Sequence, residues 1–106
     1  MITIQKAGII EDEKVREAVF AVIEEREMYY INLFGTGPDA PDITVKFENL
    51  QPFRLRITFK PRGKAPVHID IEGFTTPEIV TKHAFKKLRR VAKNHFTKQK
   101  KLRSHR

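Results

Sequence analysis

Hydrophobic residues recur at every second position in four short stretches of the chain. The first stretch is Met1–Lys6, in which Ile2 and Ile4 point to one side of the backbone. The other three lie between residues 43 and 72, and each alternates apolar with polar side chains. Such alternation is typical of strands that bury one face and leave the other in water, and it favours antiparallel pairing for the last three. The pattern therefore predicts strands at residues 1–6, 43–47, 53–60 and 67–72.

Apolar residues repeat with the period of a helix in two further stretches. The first begins at Asp12, whose carboxylate can accept hydrogen bonds from the free N–H groups of a helix start. We expect this helix to extend to about Tyr30, with an apolar stripe that begins at Val15. Arg26 falls within the stripe, so a helix that ends there, with residues 28–34 extended, remains the alternative.

The second helix is predicted to begin at Thr76-Pro77-Glu78. Thr can cap the start, Pro suits the first helical position, and Glu complements the positive end of the helix dipole. The apolar face is formed by Val80, Ala84, Leu88, Val91 and His95. Because the pattern fades past Phe96, we expect one domain over residues 1–96 and a basic tail at 97–106, which is either a frayed helix end or a segment that orders on binding.

These elements predict an α+β fold with the order β-α-β-β-β-α, in which one four-stranded sheet carries both helices on its apolar face. At 106 residues the chain is long enough to bury a core of its own. The expected core consists of Ile2, Ile4, Val15, Val19, Val22, Val45, Phe47, Leu55, Ile57, Phe59, Val67, Ile69, Ile71, Val80, Ala84, Leu88 and Val91.

Charge is distributed unevenly along the chain. It carries 21 Lys and Arg against 13 Asp and Glu, a net charge of +8. Residues 76–106 hold eleven of the basic residues and one acid, Glu78, whereas the first 75 residues hold ten basic and twelve acidic residues. The whole positive excess therefore lies in the second helix and the tail, which predicts a polyanionic partner.

The cations of the second helix fall on the side opposite its apolar face. At about 100° per residue, four of them align in one row, with Arg90 beside the row and Lys87 at its border with the apolar face. The row is formed by Lys82, Lys86, Arg89 and Lys93. We interpret it as a surface for phosphates. The alternatives are a solvated helix face and a membrane-surface helix, although the latter would need Trp and bulky apolar residues that the opposite face lacks.

No motif for catalysis or metal binding emerges. The chain has no Cys, and no apolar run is long enough for a membrane span or a signal peptide. His68 and Asp70 share a strand face without a partnered nucleophile, and His83 and His95 are twelve residues apart on one helix, which is not a metal-binding spacing. We therefore expect a soluble cytoplasmic protein that is not an enzyme and uses no cofactor, metal or small-molecule substrate.

The polar face of the sheet carries its own charges. They are Lys46, Arg54, Arg56 and Lys60, with Asp70 and Glu72 beside them. This face could bind a second stretch of anion, but ion pairs between neighbouring strands are the interpretation that we favour.

Three stretches carry a resemblance to a known family. They are Glu13-Lys14-Val15-Arg16-Glu17 in the first helix, Val67–Gly73 in the last strand, and Lys87-Leu88-Arg89-Arg90 followed by Lys93, His95 and Lys100-Lys101-Leu102. With these residues the chain resembles the short form of the ribosome hibernation promoting factor / ribosome-associated inhibitor A family. It departs from that family at residues 75–81 and in a longer loop at Gly35–Pro41, and so resembles a divergent member.

The resemblance implies a fold related in shape to double-stranded-RNA-binding domains. It also implies that the protein binds rRNA of the small ribosomal subunit, in the channel used by mRNA and tRNA, and silences idle ribosomes under stress. Off the ribosome we expect a monomer. The RNA-binding residues expected from the basic stretch and the resemblance are Arg16, Lys82, Lys86, Lys87, Arg89, Arg90, Lys93, Lys98, Lys100 and Lys101.

Two other functions remain open. A general double-stranded-RNA-binding module would use the same helix without preference for the ribosome. A protein-interaction adaptor would instead use the acidic first helix to contact a basic partner, and its binding would not respond to charge reversal in the second helix.

Overall fold

The computed structural model describes the backbone of residues 2–104 and the side chains of residues 2–94. The elements are β1 Ile2–Gln5, α1 Glu13–Phe34, β2 Asp42–Leu50, β3 Phe53–Lys60, β4 Val67–Gly73 and α2 Pro77–Ser104, with one turn of 3-10 helix at Ala7–Ile9. The predicted α+β class and the order β-α-β-β-β-α are confirmed. Within the described residues, neither helix has a stretch both long and apolar enough to cross a membrane.

The four strands form one mixed sheet in the order β1-β2-β3-β4. β1 pairs with β2 in parallel, whereas β2, β3 and β4 pair in antiparallel fashion, as their alternation predicts. Val45 lies opposite Ile57, which in turn lies opposite Ile69. This register places the apolar residues of neighbouring strands on one face, because side chains alternate between faces along a strand.

The core lies between this sheet face and the two helices. Its largest fully buried side chains on the sheet are Phe47, Phe53 and Phe59. Most of the expected core is confirmed, but Ile4 and Val67 remain 38% and 39% exposed. Both residues lie on the edge strands, β1 and β4, where a side chain has a neighbouring strand on one side alone. The buried hydrophobic residues that the expected core does not include are Ile10, Ile23, Tyr30, Ile43, Phe53, Phe85 and Ala92. Four of them, Ile23, Tyr30, Ile43 and Phe53, lie on the apolar side of the predicted helix and strands.

The first helix begins as predicted and ends later. The Asp12 carboxylate accepts hydrogen bonds from the backbone N–H groups of Lys14 and Val15, at 2.9 and 3.2 Å. The helix then continues to Phe34, so both the expected end near Tyr30 and the extended alternative for residues 28–34 are wrong. Its last turn persists because two rings attach it to the body of the domain. Tyr30 stacks on Phe34, with centroids 6.3 Å apart, and Phe34 lies 6.1 Å from Phe59.

The second helix begins at the predicted cap. The Thr76 hydroxyl accepts a hydrogen bond from the N–H of Ile79 at 3.4 Å. Thr81 is a buried polar residue, and its hydroxyl donates to the carbonyl oxygen of Pro77 at 2.7 Å, which satisfies it without a partner outside the helix. The helix continues to Ser104, so the helical backbone includes most of the segment that we predicted as a tail.

The two helices begin at the same end of the domain and run side by side. Asp12 at the start of α1 and Pro77 at the start of α2 line one common groove. The 28 residues of α2 span about 42 Å, and the molecule measures 52 × 22 × 19 Å along its principal axes. The long axis of the molecule therefore follows from the length of α2.

Candidate nucleic-acid interface

One side of α2 is buried against both the sheet and α1. The buried residues are Val80, Thr81, Ala84, Phe85, Leu88 and Ala92. This buried side is wider than the stripe that we predicted, because α2 packs against two elements at once. A helical projection places Phe85 and Ala92 along one edge of the predicted stripe, which did not include them.

The opposite side of α2 is exposed and basic. We call the exposed cations between residues 82 and 93 the basic face. They are Lys82, Lys86, Lys87, Arg89, Arg90 and Lys93. The structure thus places all six predicted cations of this helix segment in solvent, on one rigid element anchored by the core. Their exposure does not test the role in RNA binding that the sequence predicts for them, which stays a prediction.

The basic face is only weakly neutralised. Lys82 pairs with Glu78 one turn earlier, with its Nζ atom 3.4 Å from Oε1. In the part of the chain that the structure describes, Lys86, Arg90 and Lys93 have no carboxylate oxygen within 4 Å. The spacing of Glu78 and Lys82 could have revealed their pairing in the sequence. The uncompensated charge therefore begins at Lys86 rather than at Lys82.

Arg89 lies at the edge of the basic face, beside α1. Its guanidinium carbon is 5.6 Å from the centroid of the Tyr29 ring, which is the geometry of a cation–π contact. Burial raises the pKa of the neighbouring Tyr30 well above its ordinary value, so its phenol stays neutral. The Tyr29 ring thus orients the Arg89 guanidinium, a contact that the sequence alone did not suggest.

Arg16, the predicted RNA-binding residue of the first helix, lies on α1 and is not part of the basic face of α2. It is half-buried on α1, and its Nη1 atom donates a hydrogen bond to the carbonyl oxygen of Ile10 at 3.1 Å. This bond ties α1 to the segment that precedes it. Lys98, Lys100 and Lys101 lie in the last part of α2, and their predicted contacts fall outside the residues whose side chains are described.

The polar face of the sheet is stabilised by contacts between strands. The Arg56 Nε and Nη2 atoms donate to the two carboxylate oxygens of Asp70 at 2.8 and 3.3 Å, and Glu48 approaches Arg56 to 4.0 Å. His68 bonds to Thr58 on the neighbouring strand, with 3.0 Å between Nδ1 and Oγ1, rather than to Asp70. The favoured interpretation of this face as cross-strand pairs is confirmed for Arg56.

The pair on the sheet gives a pH-dependent prediction. A hydrogen bond from the Arg56 guanidinium holds the pKa of Asp70 below its ordinary value. Because the pKa in the folded state lies below that of the unfolded chain, the pair stabilises the fold at neutral pH, and this contribution is lost as the pH falls through the lowered pKa. We expect an NMR titration to show this low pKa, and Arg56→Gln to raise it towards the ordinary value. Lys60→Gln on the same face is the control, and an unchanged pKa in Arg56→Gln would contradict the assignment.

Comparison of the chain with protein-family profiles, curated proteins and solved structures found no match. The resemblance to the ribosome hibernation family therefore stays a prediction. Among the described residues, no three His, Asp or Glu side chains come together in a way that could hold a metal ion. The basic face of α2 is the candidate surface for an anionic ligand, because its cations are exposed and only Lys82 has a carboxylate within 4 Å among the described residues.

Proposed function

We propose that this protein is a ribosome-associated translation regulator that binds rRNA of the small subunit through the basic face of α2 and thereby silences idle ribosomes under stress. The observation that carries the proposal is the row of exposed cations from Lys86 to Lys93, which no carboxylate of the described residues neutralises. The sequence resemblance to the hibernation family is the reason why we expect the anionic partner to be the ribosome.

The affinity would come from neutralised phosphates. Each Lys or Arg that contacts a phosphate releases condensed counterions, so binding weakens steeply as salt is added. A helix packed on a sheet presents its cations at fixed spacing, and less conformational entropy is lost on binding than for a disordered basic segment. Between residues 82 and 93 no Phe, Tyr or Trp is exposed, so stacking on unpaired bases would add little.

Silencing would follow from occlusion. A domain that is bound in the channel of mRNA and tRNA excludes both by volume, and no chemical step is required. The elongated shape, 52 Å by about 20 Å, suits insertion into a channel lined with phosphates. Phosphate contacts would supply most of the affinity, whereas the fit of the domain to the channel would supply the specificity.

Co-sedimentation with separated ribosomal subunits, over a series of salt concentrations and with double-stranded RNA as competitor, tests the proposal. We expect saturable binding to the small subunit that resists an excess of competitor and weakens with salt. Equal binding to both subunits and to free RNA would instead indicate a general double-stranded-RNA-binding module. Absence of binding at low salt would contradict both RNA functions and leave the adaptor.

A further inference from the structure

A groove lies at the end of the domain where both helices begin. It encloses about 710 Å³ between the β2–β3 turn, the start of α1 and the connection from β4 to α2. Leu50, Phe53 and Phe74 are among its apolar lining residues. A concave, largely apolar surface of this size is typical of a binding site, since pockets for ligands and peptide anchors commonly span roughly 300–1,000 Å³.

The groove exposes an aromatic ring that the fold does not use. Phe74 is 91% exposed, and Leu50 beside the same groove is 43% exposed. A phenylalanine in this position contributes almost nothing to the core, yet it leaves apolar surface in water. Exposed aromatic residues at the centre of a surface with a polar rim are typical anchors of protein–protein contacts.

The charged residues that line the groove indicate the charge of a partner that would bind there. Glu11 and Asp12 are the charged residues among those that line it, and both are acidic. The Asp12 carboxylate is occupied in capping α1, whereas Glu11 is exposed. The residues that line the groove include no Lys or Arg, in contrast to the basic face of α2, so the two surfaces favour ligands of opposite charge.

We propose that this groove binds a basic segment of a partner protein. An apolar or aromatic side chain of that segment would insert beside Phe74 and Leu50, while flanking Lys or Arg residues would face Glu11 and Asp12. The proposal does not depend on RNA binding, because the groove uses none of the cations of the basic face. It gives the protein a second docking surface whose ligand is a cationic peptide.

Fluorescence anisotropy with a labelled peptide of sequence Arg-Arg-Leu-Phe-Arg-Arg tests the groove. A peptide with Glu in place of every Arg serves as the matched probe of charge. We expect saturable binding of the basic peptide, no binding of the acidic one, and a loss of affinity of about tenfold or more in Phe74→Ala and in Glu11→Lys. Both side chains are exposed, so both variants should fold.

The control variant is Met28→Ala, which removes another large apolar side chain, 60% exposed, from a position outside the groove. It should bind the basic peptide as the unaltered protein does.

The proposal is overturned if the basic peptide does not bind, if the acidic peptide binds equally well, or if Phe74→Ala has no more effect than Met28→Ala. Self-association in analytical ultracentrifugation that Phe74→Ala abolishes would overturn it too, because the groove would then belong to a second copy. Co-sedimentation of Phe74→Ala with the small subunit should be unchanged, which separates this proposal from the proposed function.

Discussion

Replacing Lys86 and Lys93 together by glutamate is expected to lower the affinity for the small ribosomal subunit by about 100-fold or more at moderate salt. Both side chains are exposed and have no carboxylate within 4 Å in the described part of the chain. The variant removes two phosphate contacts and adds two repulsive charges, so the slope of log affinity against log salt should also become shallower, by about two. Co-sedimentation across a salt series measures both quantities.

The matched control for this variant is Lys14→Glu with Lys64→Glu. It changes the net charge by the same amount at exposed positions outside the basic face. It should retain most of the affinity, and circular dichroism should show both double variants folded. Equal losses in the two variants would mean that net charge rather than the basic face directs binding. Arg89 is left unaltered, because its contact with Tyr29 would combine a packing effect with the loss of charge.

Replacing Leu88 by aspartate is expected to unfold the domain. Leu88 is fully buried on the side of α2 that packs on the sheet and α1. A carboxylate there would lose its hydration without gaining a partner, and the lost packing adds to this penalty, for a total of about 4 kcal/mol or more. Since small domains are stable by only about 5–15 kcal/mol, the variant should lose most or all of its cooperative unfolding transition.

Urea denaturation followed by circular dichroism measures this effect. Asn94→Asp is the matched control, because it introduces the same charge at an exposed position of the same helix. Its free energy of unfolding should stay within about 0.5 kcal/mol of that of the unaltered protein. A stable, cooperatively folded Leu88→Asp variant would show that the buried side of α2 is assigned wrongly.

Local sequence patterns were sufficient to predict most of the strands and helices of the fold. Alternating residues located all four strands, and the capping residues Asp12 and Thr76 located both helix starts, because each signal depends on a few neighbours along the chain. The end of α1 depends instead on ring contacts between Phe34 and Phe59, which are far apart in sequence. Ile4 fits the strand pattern but lies on an edge strand, and an edge is defined only once the strand order is known.

The candidate interface was predictable to a similar extent. A helical projection placed the cations of the basic face correctly, since their exposure follows from the turn of one helix. The contact of Arg89 with Tyr29 required the relative position of two helices. The groove around Phe74 joins a hairpin turn, a helix start and a loop, so no single stretch of sequence could reveal it.

The helix α2 buries one side and exposes its cations on the other. Insertion or deletion of a residue within it would therefore disturb both sides at once. One residue inserted between Val80 and Lys86 would rotate everything after it by about 100° around the helix axis. Leu88 would then turn out of the core, and the cations that follow would leave the surface on which they align. The helix can therefore diverge by substitution but not by insertion or deletion within this segment. The loop between α1 and β2 is under no such restriction, and differences in chain length should accumulate there.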